Sequence, residues 1–345
     1  MIKVSPLLWI FFSAFIIVLL IPSILVVSFS ENKGNEEIDL NIDKNNVMAN
    51  EAANQVVEVS VLRTNSKKIE NVPFEEYVVG VVASEMPATF ELEALKAQAL
   101  AARTFLVNKM VAPDSSKDEK LLRVNADISD NPENYQVYKN KAELAKQWGE
   151  NYQSNINKIQ EAVHATQGQI LTYEGKPIDP SFHSTSNGYT ENSEDYWEHS
   201  YPYLRSVASP WDKESPKFND QVVRTISEVE KALGIQFDRQ TDMIGEKTLT
   251  ESNRVATIKL GDKEFRGKDI REKLNLPSND FEVEQSGENL IFTTKGYGHG
   301  VGMSQYGANG MAKEGENYED IVKYYYQDVS ISSVEPFVDT IVAKK

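Results

Sequence analysis

The sequence predicts an α+β fold: helices packed around a small, mainly antiparallel sheet, forming one large domain with an inserted lobe behind a single transmembrane helix. Three observations lead there. Apolar residues recur at helical spacing between residues 73 and 85, 90 and 110, and 141 and 167. Short period-two runs, such as Val57, Val59 and Val61, are interleaved with them. Leu7 to Phe29 runs 23 residues without a charge, sufficient to cross a ~30 Å hydrocarbon core as a helix.

Taken in order, residues 1–6 form a short tail and Leu7 to Phe29 the anchor. Ser28-Phe29-Ser30 resembles a cleavage site, but the apolar region of a cleaved leader is typically about 7–15 residues, so an uncleaved anchor is the reading adopted. Lys3 precedes the span and Glu31, Glu36, Glu37 and Asp39 follow it, which places the bulk of the chain outside the cytoplasm. Residues 30–55 are polar and without apolar periodicity, a tether. The folded domain is expected over 56–335, with a tail over 336–345.

A strand at Val57 to Val61 turns at Asn65-Ser66. Pro73 suits the first position of a helix carrying Phe74, Tyr77, Val78, Val81, Val82 and Glu85 on one stripe, and Pro87 ends it at Met86. A second, alanine-rich helix runs from about Phe90 to Met110. Residues 111–135 read as a long loop with strand pieces near Arg123 to Ile128, followed by one long helix from Lys141 to Gln167, capped by Gly168, and a strand from Gln169 to Tyr173. Residues 226–293 alternate short helical and strand patterns, which suggests an inserted lobe. A helix near Tyr318 to Tyr326 and a final apolar strand close the chain.

Composition narrows the function. The 345 residues carry 52 acidic and 36 basic side chains, a formal charge of -16, with no basic run to offset it, so nucleic-acid binding is not expected. There is no cysteine, which excludes disulfides, thiol chemistry and cysteine-ligated zinc. His183 and His199 could in principle ligate a metal, but without cysteine or a compact His/Asp cluster neither a metal nor another cofactor is expected.

Glu85 is the carboxylate best placed for chemistry. Desolvation on the apolar side of its helix and the negative end of the helix dipole both favour the protonated form that a general acid needs. Periodicity alone equally allows a helix-end glutamate turned to solvent. Arg103, amid alanines, could meet a carboxylate or a sugar substituent, though spacing favours a surface arginine. His183, Ser184 and Tyr189 lie in a polar and aromatic segment, Phe182 to Trp197, of the kind that lines carbohydrate sites. In Gly296 to Gly307 the glycines let the backbone approach a ligand and leave His299, Ser304, Gln305 and Tyr306 displayed. Ala308 stands where a phosphate loop requires lysine.

Four stretches together, Pro73 to Pro87 ending Ser84-Glu85-Met86-Pro87, Lys96 to Thr104, His183 to Gly188 and Gly298 to Gly307, closely resemble the stage II sporulation protein D family. The resemblance spans roughly residues 56–335 and implies a lytic transglycosylase. Such an enzyme cuts peptidoglycan strands stripped of stem peptides, between N-acetylmuramic acid and N-acetylglucosamine, during engulfment of the forespore. It implies Glu85 as the catalytic residue, with Arg103, His183, Ser184, Tyr189, His299, Ser304, Gln305 and Tyr306 as substrate-binding candidates. The implied partners are the sporulation amidase, stage II sporulation protein P, and the membrane scaffold, stage II sporulation protein M. Lytic cleavage needs one carboxylate, because the muramic acid's own C6 hydroxyl attacks; a hydrolase would need a second, with Glu191, Glu194 or Asp195 as candidates. Ser186-Asn187-Gly188 departs from relatives that can carry cysteine or a second glycine there, which weakens any inference of a metal. The alternative to an enzyme is a wall-binding module that stimulates a partner amidase, as amidase-enhancer domains do.

Overall fold

Val59 and Val61 form the buried side of β1 (Glu58–Leu62) in the computed structural model. The structure describes residues 57–113, 118–197, 199–238, 240 and 242–343, so the expected tail, membrane span and tether lie outside it. β1 pairs antiparallel with β2 (Ile69–Pro73), Glu58 standing opposite Pro73. Among the described residues no helix is long and apolar enough to cross a membrane.

α1 (Phe74–Glu85) follows at once. Pro73, at φ -53°, immediately precedes the helix instead of opening it. Its end is where the sequence puts it: Pro87 disfavours helical geometry at Met86, which is extended at φ -121°, ψ 138°. α2 (Leu92–Val111) is the centre of the molecule. Its alanines, Ala94, Ala97, Ala99, Ala101 and Ala102, point in several directions and all are buried, because helices and a strand close around it. Short side chains allow that close approach.

The expected loop after α2 contains α3 (Glu119–Val124), whose first turn is capped by the Asp118 carboxylate, and β3 (Ile128–Ser129), parallel to β1. The single long helix expected over 141–167 is two, α4 (Lys141–Trp148) and α5 (Tyr152–Ala165). Gly149, at φ +53°, ends the first, and a turn of 3-10 helix starts the second. β4 (Gln169–Tyr173) is the expected strand and pairs with β5 (Lys176–Pro177). β6 (Phe182–His183) and the one-turn α6 (Ser193–Tyr196) carry the polar and aromatic segment.

A second hydrophobic cluster, including Ile226, Val229, Ile258, Ile270, Phe281 and Phe292, lies between β7 (Asn219–Thr225) and β12 (Asn289–Lys295). Within it are α7 (Ile226–Leu233), β8 (Ile244–Leu249), β9 (Val255–Leu260), β10 (Lys263–Arg266), α8 (Gly267–Leu274) and β11 (Phe281–Ser286). Asn219 at the start of β7 pairs with Lys295 at the end of β12, so this lobe leaves and rejoins the rest at one point. Beyond it come β13 (Met303–Ser304), α9 (Gln305–Lys313), α10 (Tyr318–Tyr325) and β14 (Ser330–Ser333), which completes the sheet of β4.

Two expectations are corrected. The segment expected as a C-terminal tail from residue 336 is α11 (Glu335–Ala343), which buries Ile341 against the core. Instead of one small sheet, the described strands make five sheets of two or three strands. Antiparallel pairing prevails as expected; β1 with β3 and β6 with β13 are parallel.

Candidate active site

Glu85 is the last residue of α1, and its side chain crosses to the loop before α4. There the backbone N–H of Val137 donates to Oε1 at 2.6 Å. Burial pushes the carboxyl above its ordinary range, and the Val137 amide and the charge of Lys139 reverse only part of that. The carbonyl of Glu85 accepts from Nε2 of Gln305, at 3.1 Å, and the same amide reaches Oε1 of Gln98 on α2 at 3.3 Å. Gln305 thus ties the start of α9 to the end of α1.

A stack holds Val137 in place. The Tyr138 ring lies on Tyr77, centroids 5.2 Å apart and 17° from parallel, and the Arg63 guanidinium covers Tyr138 at 4.9 Å. Arg63 is gripped by Glu70, Asp130 and Glu143 at 2.6, 2.8 and 2.6 Å. Gly80 leaves room for the ring: a Cβ there would lie 2.4 Å from Cε2 of Tyr138. Next to Val137, Gln136 is buried, and neither atom of its amide meets a protein partner.

Two hollows meet at Glu85 and share Pro132, Phe182 and His299. One, of about 760 Å³, is lined by Trp148, Asn155, His183, Ser184, Lys217, Tyr297, Gln305 and Tyr306, and Glu85 is the only carboxylate among its described lining residues. The other, of about 590 Å³, carries Lys109, Tyr196, Trp197, Lys268 and Arg271, with Glu133, Asp179 and Glu272. These volumes suit a ligand of several rings.

His183 and His299 stand side by side, ring centroids 5.7 Å apart. Nδ1 of His183 donates to the Val301 carbonyl at 3.2 Å, which leaves its buried Nε2 as an unpartnered lone pair. Nδ1 of His299 accepts the Val301 N–H at 3.1 Å, so the proton of the neutral ring is on Nε2. Burial, helped by Arg254 and Arg271 and, for His183, by His299, keeps both rings uncharged, with His299 pushed down to about 3. The glycines bring the two segments this close. Gly298 has φ +120° and a Cβ there would meet Cβ of His183 at 2.8 Å; at Gly302, φ +73°, it would sit 2.0 Å from the Ser181 carbonyl.

The sequence model of the family described as stage II sporulation protein matches residues 63–173, a stretch that contains Glu85 and Val137. The chain is 48% identical to stage II sporulation protein D of Bacillus subtilis (strain 168) over 337 residues, covering 95% of this chain and 96% of that one. It is 47% identical to stage II sporulation protein D of Bacillus amyloliquefaciens, over 99% of this chain and 100% of that one. The chain belongs to the stage II sporulation protein D family. A more distant relative, the amidase enhancer of Bacillus subtilis (strain 168), is 26% identical over 74% of this chain and 40% of its own length.

In this member of the stage II sporulation protein D family, the structure brings Glu85, His183, Ser184, His299, Gln305 and Tyr306 together around one hollow. Three expected substrate contacts are elsewhere. Arg103 is fully buried and grips Glu75 through two bonds of 2.8 and 2.7 Å. Its other N–H groups meet Thr166 and the carbonyls of Val163 and Gln169, so it pins α1 and α5 to α2. Ser304 is buried too: its hydroxyl donates to Asp212 at 2.5 Å and caps α9 by accepting the Gly307 N–H. Tyr189 is exposed, lines neither hollow, and presents its carbonyl to Arg254.

The possible second carboxylates are no closer to the chemistry. Glu191 is buried, bound by Thr250 at 2.9 Å and 3.9 Å from Arg254. Glu194 pairs with Arg205, and Asp195 lines neither hollow.

Sequence reasoning missed the groups that assemble the site. Asp212 receives Ser186, Ser209 and Ser304 hydroxyls and so gathers three loops. Val137 acts through its backbone, which no side-chain pattern reports. The run Tyr135-Gln136-Val137-Tyr138, two aromatics in a stretch otherwise rich in Asp, Asn and Pro, was the available signal.

Proposed function

We propose that this protein is a lytic transglycosylase that cleaves the glycosidic bond between N-acetylmuramic acid and N-acetylglucosamine in peptide-stripped peptidoglycan. One observation carries the reading: Glu85, whose carboxyl burial pushes above its ordinary range, is the sole described carboxylate of the larger hollow. Because the Val137 N–H occupies Oε1, the acid proton sits on Oε2. Glu85 gives that proton to the leaving oxygen as the C1–O bond breaks. It then takes the proton of the muramoyl C6 hydroxyl as that oxygen bonds to C1 and closes a 1,6-anhydro ring. No water is consumed, and no second carboxylate is required.

The reading includes attachment to the mother-cell membrane through Leu7 to Phe29, with the domain facing the intermembrane space during engulfment, and partnership with stage II sporulation proteins P and M. The name of the amidase-enhancer relative favours a second reading, a wall-binding module that stimulates an amidase. Mass spectrometry of peptide-free glycan treated with residues 50–345 and with its Glu85→Gln variant separates them. Anhydro-ended fragments from the wild type alone are expected; reducing ends indicate hydrolysis, and intact strands the amidase-stimulating module.

A further inference from the structure

Beyond the hollow that holds Lys268 and Trp197 lies a third, of about 410 Å³, which shares Asp179, Ser181, Tyr196, Trp197 and Lys268 with it. The groove from Glu85 therefore continues along the lobe. Half-buried Trp197 and Tyr201 line it together with Arg266 and Lys268, which come from the lobe at the junction of β10 and α8. Lys268 lies over the Tyr196 ring at 4.8 Å, and the nearest carboxylate it pairs with is Glu272, at 3.9 Å. Arg266 makes no ion pair among the described residues. Among its described lining residues Asp179 is the one carboxylate, beside the two cations. In a chain of charge -16, two cations beside half-buried aromatic side chains suit an anion with an apolar face.

Resting on the reading of Glu85 as the catalytic group, we infer that this hollow is a distal subsite for a sugar bearing a carboxylate. The ring stacks on Trp197 or Tyr201 while Arg266 and Lys268 hold the carboxylate, so the lobe binds substrate. In a peptidoglycan strand that carboxylate comes either from the lactyl group of a peptide-free muramoyl unit or from a retained stem peptide. Arginine grips a carboxylate through two parallel bonds, and the lysine adds charge.

The test measures binding in a Glu85→Gln background, where no cleavage is needed, using peptide-free muramoyl oligosaccharides of increasing length. Arg266→Gln, which leaves Lys268 in place because that residue also lines the hollow at Glu85, is expected to weaken binding of long strands at least fivefold. It should leave the shortest bound oligomer within twofold, and Arg266→Lys should recover part of the loss. Unchanged affinity for long strands overturns the inference. An equal loss on N-acetylglucosamine oligomers, which carry no carboxylate, overturns it as well. Peptide-bearing strands that bind the unsubstituted pair of cations more tightly than peptide-free ones assign the carboxylate to the stem peptide; the reverse order assigns it to the lactyl group. Should Glu85→Gln prove fully active in cleavage, the catalytic assignment fails while this binding result still stands.

Discussion

Oε1 of Glu85 accepts the backbone N–H of Val137 at 2.6 Å, 52 residues further along the chain. That bond occupies one oxygen of the carboxyl, and it depends on a loop whose position is set by Tyr138 packing over Gly80.

Gly80→Ala is therefore expected to damage catalysis without touching substrate. In a free helix alanine is favoured by about 1 kcal/mol over glycine, but here its Cβ meets Tyr138 at 2.4 Å and the Lys139 carbonyl at 2.7 Å. The loop must shift, and overpacking of this kind costs about 1–3 kcal/mol. We expect kcat to fall at least tenfold with KM nearly unchanged and Tm lowered; full kcat would show that the Val137 contact is dispensable.

Glu85→Gln should alter the pH dependence of stability in a defined direction. The carboxyl is raised from 4.5 in the folded protein, so between that value and the folded one the native state holds a proton that the unfolded chain has released. Wild-type stability accordingly declines as pH rises through this window, and glutamine removes that decline. Urea midpoints at pH 4 and pH 7 should show the variant gaining relative to wild type at the higher pH. An equal difference at both would mean Glu85 titrates normally.

Arg103→Met breaks a buried ion pair and should destabilise by about 3 kcal/mol in urea titrations, since Glu75 is left with one fifth of its side chain exposed. Glu75→Gln added to it should restore part of the loss. Molecules that remain folded should keep the wild-type KM; a raised KM at unchanged stability would return Arg103 to the substrate.

Ser304→Ala loses a helix cap and a bond to Asp212, an expected cost of about 1–2 kcal/mol. Tyr189→Ala, at an exposed position, should stay within about 0.5 kcal/mol of wild type. Both should cleave glycan within twofold of wild type per folded molecule, and a larger loss for either would place it in the substrate site.

The sequence made α1 legible because apolar periodicity and Pro87 agree about where it begins and ends, and the placement of Glu85 follows from that register. His183 and His299 were each visible in a polar segment, but neither their contact nor the neutrality of both rings was. Arg103 misled because a buried arginine and a surface one have the same spacing; only the position of Glu75 across α1 distinguishes them. Ser304 looked displayed after its glycines, yet its hydroxyl turns inward to Asp212, a contact between positions 92 residues apart. The break at Gly149 was marked by a glycine that reads equally as a tolerated interior residue.

The bond from Gln305 to the carbonyl of Glu85 spans 220 positions of sequence, and the β6–β13 pairing encloses the whole lobe. Contacts so distant in the chain carry a large loop-closure entropy and form late. During synthesis, α1 and α2 can associate long before α9 exists, but the cleft is left without one wall until residue 305 has emerged and docked. Completion of this site therefore coincides with completion of the first core: a molecule stalled within the lobe lacks Met303, Ala308, Tyr325 and Ile341 as well as the wall that Gln305 supplies.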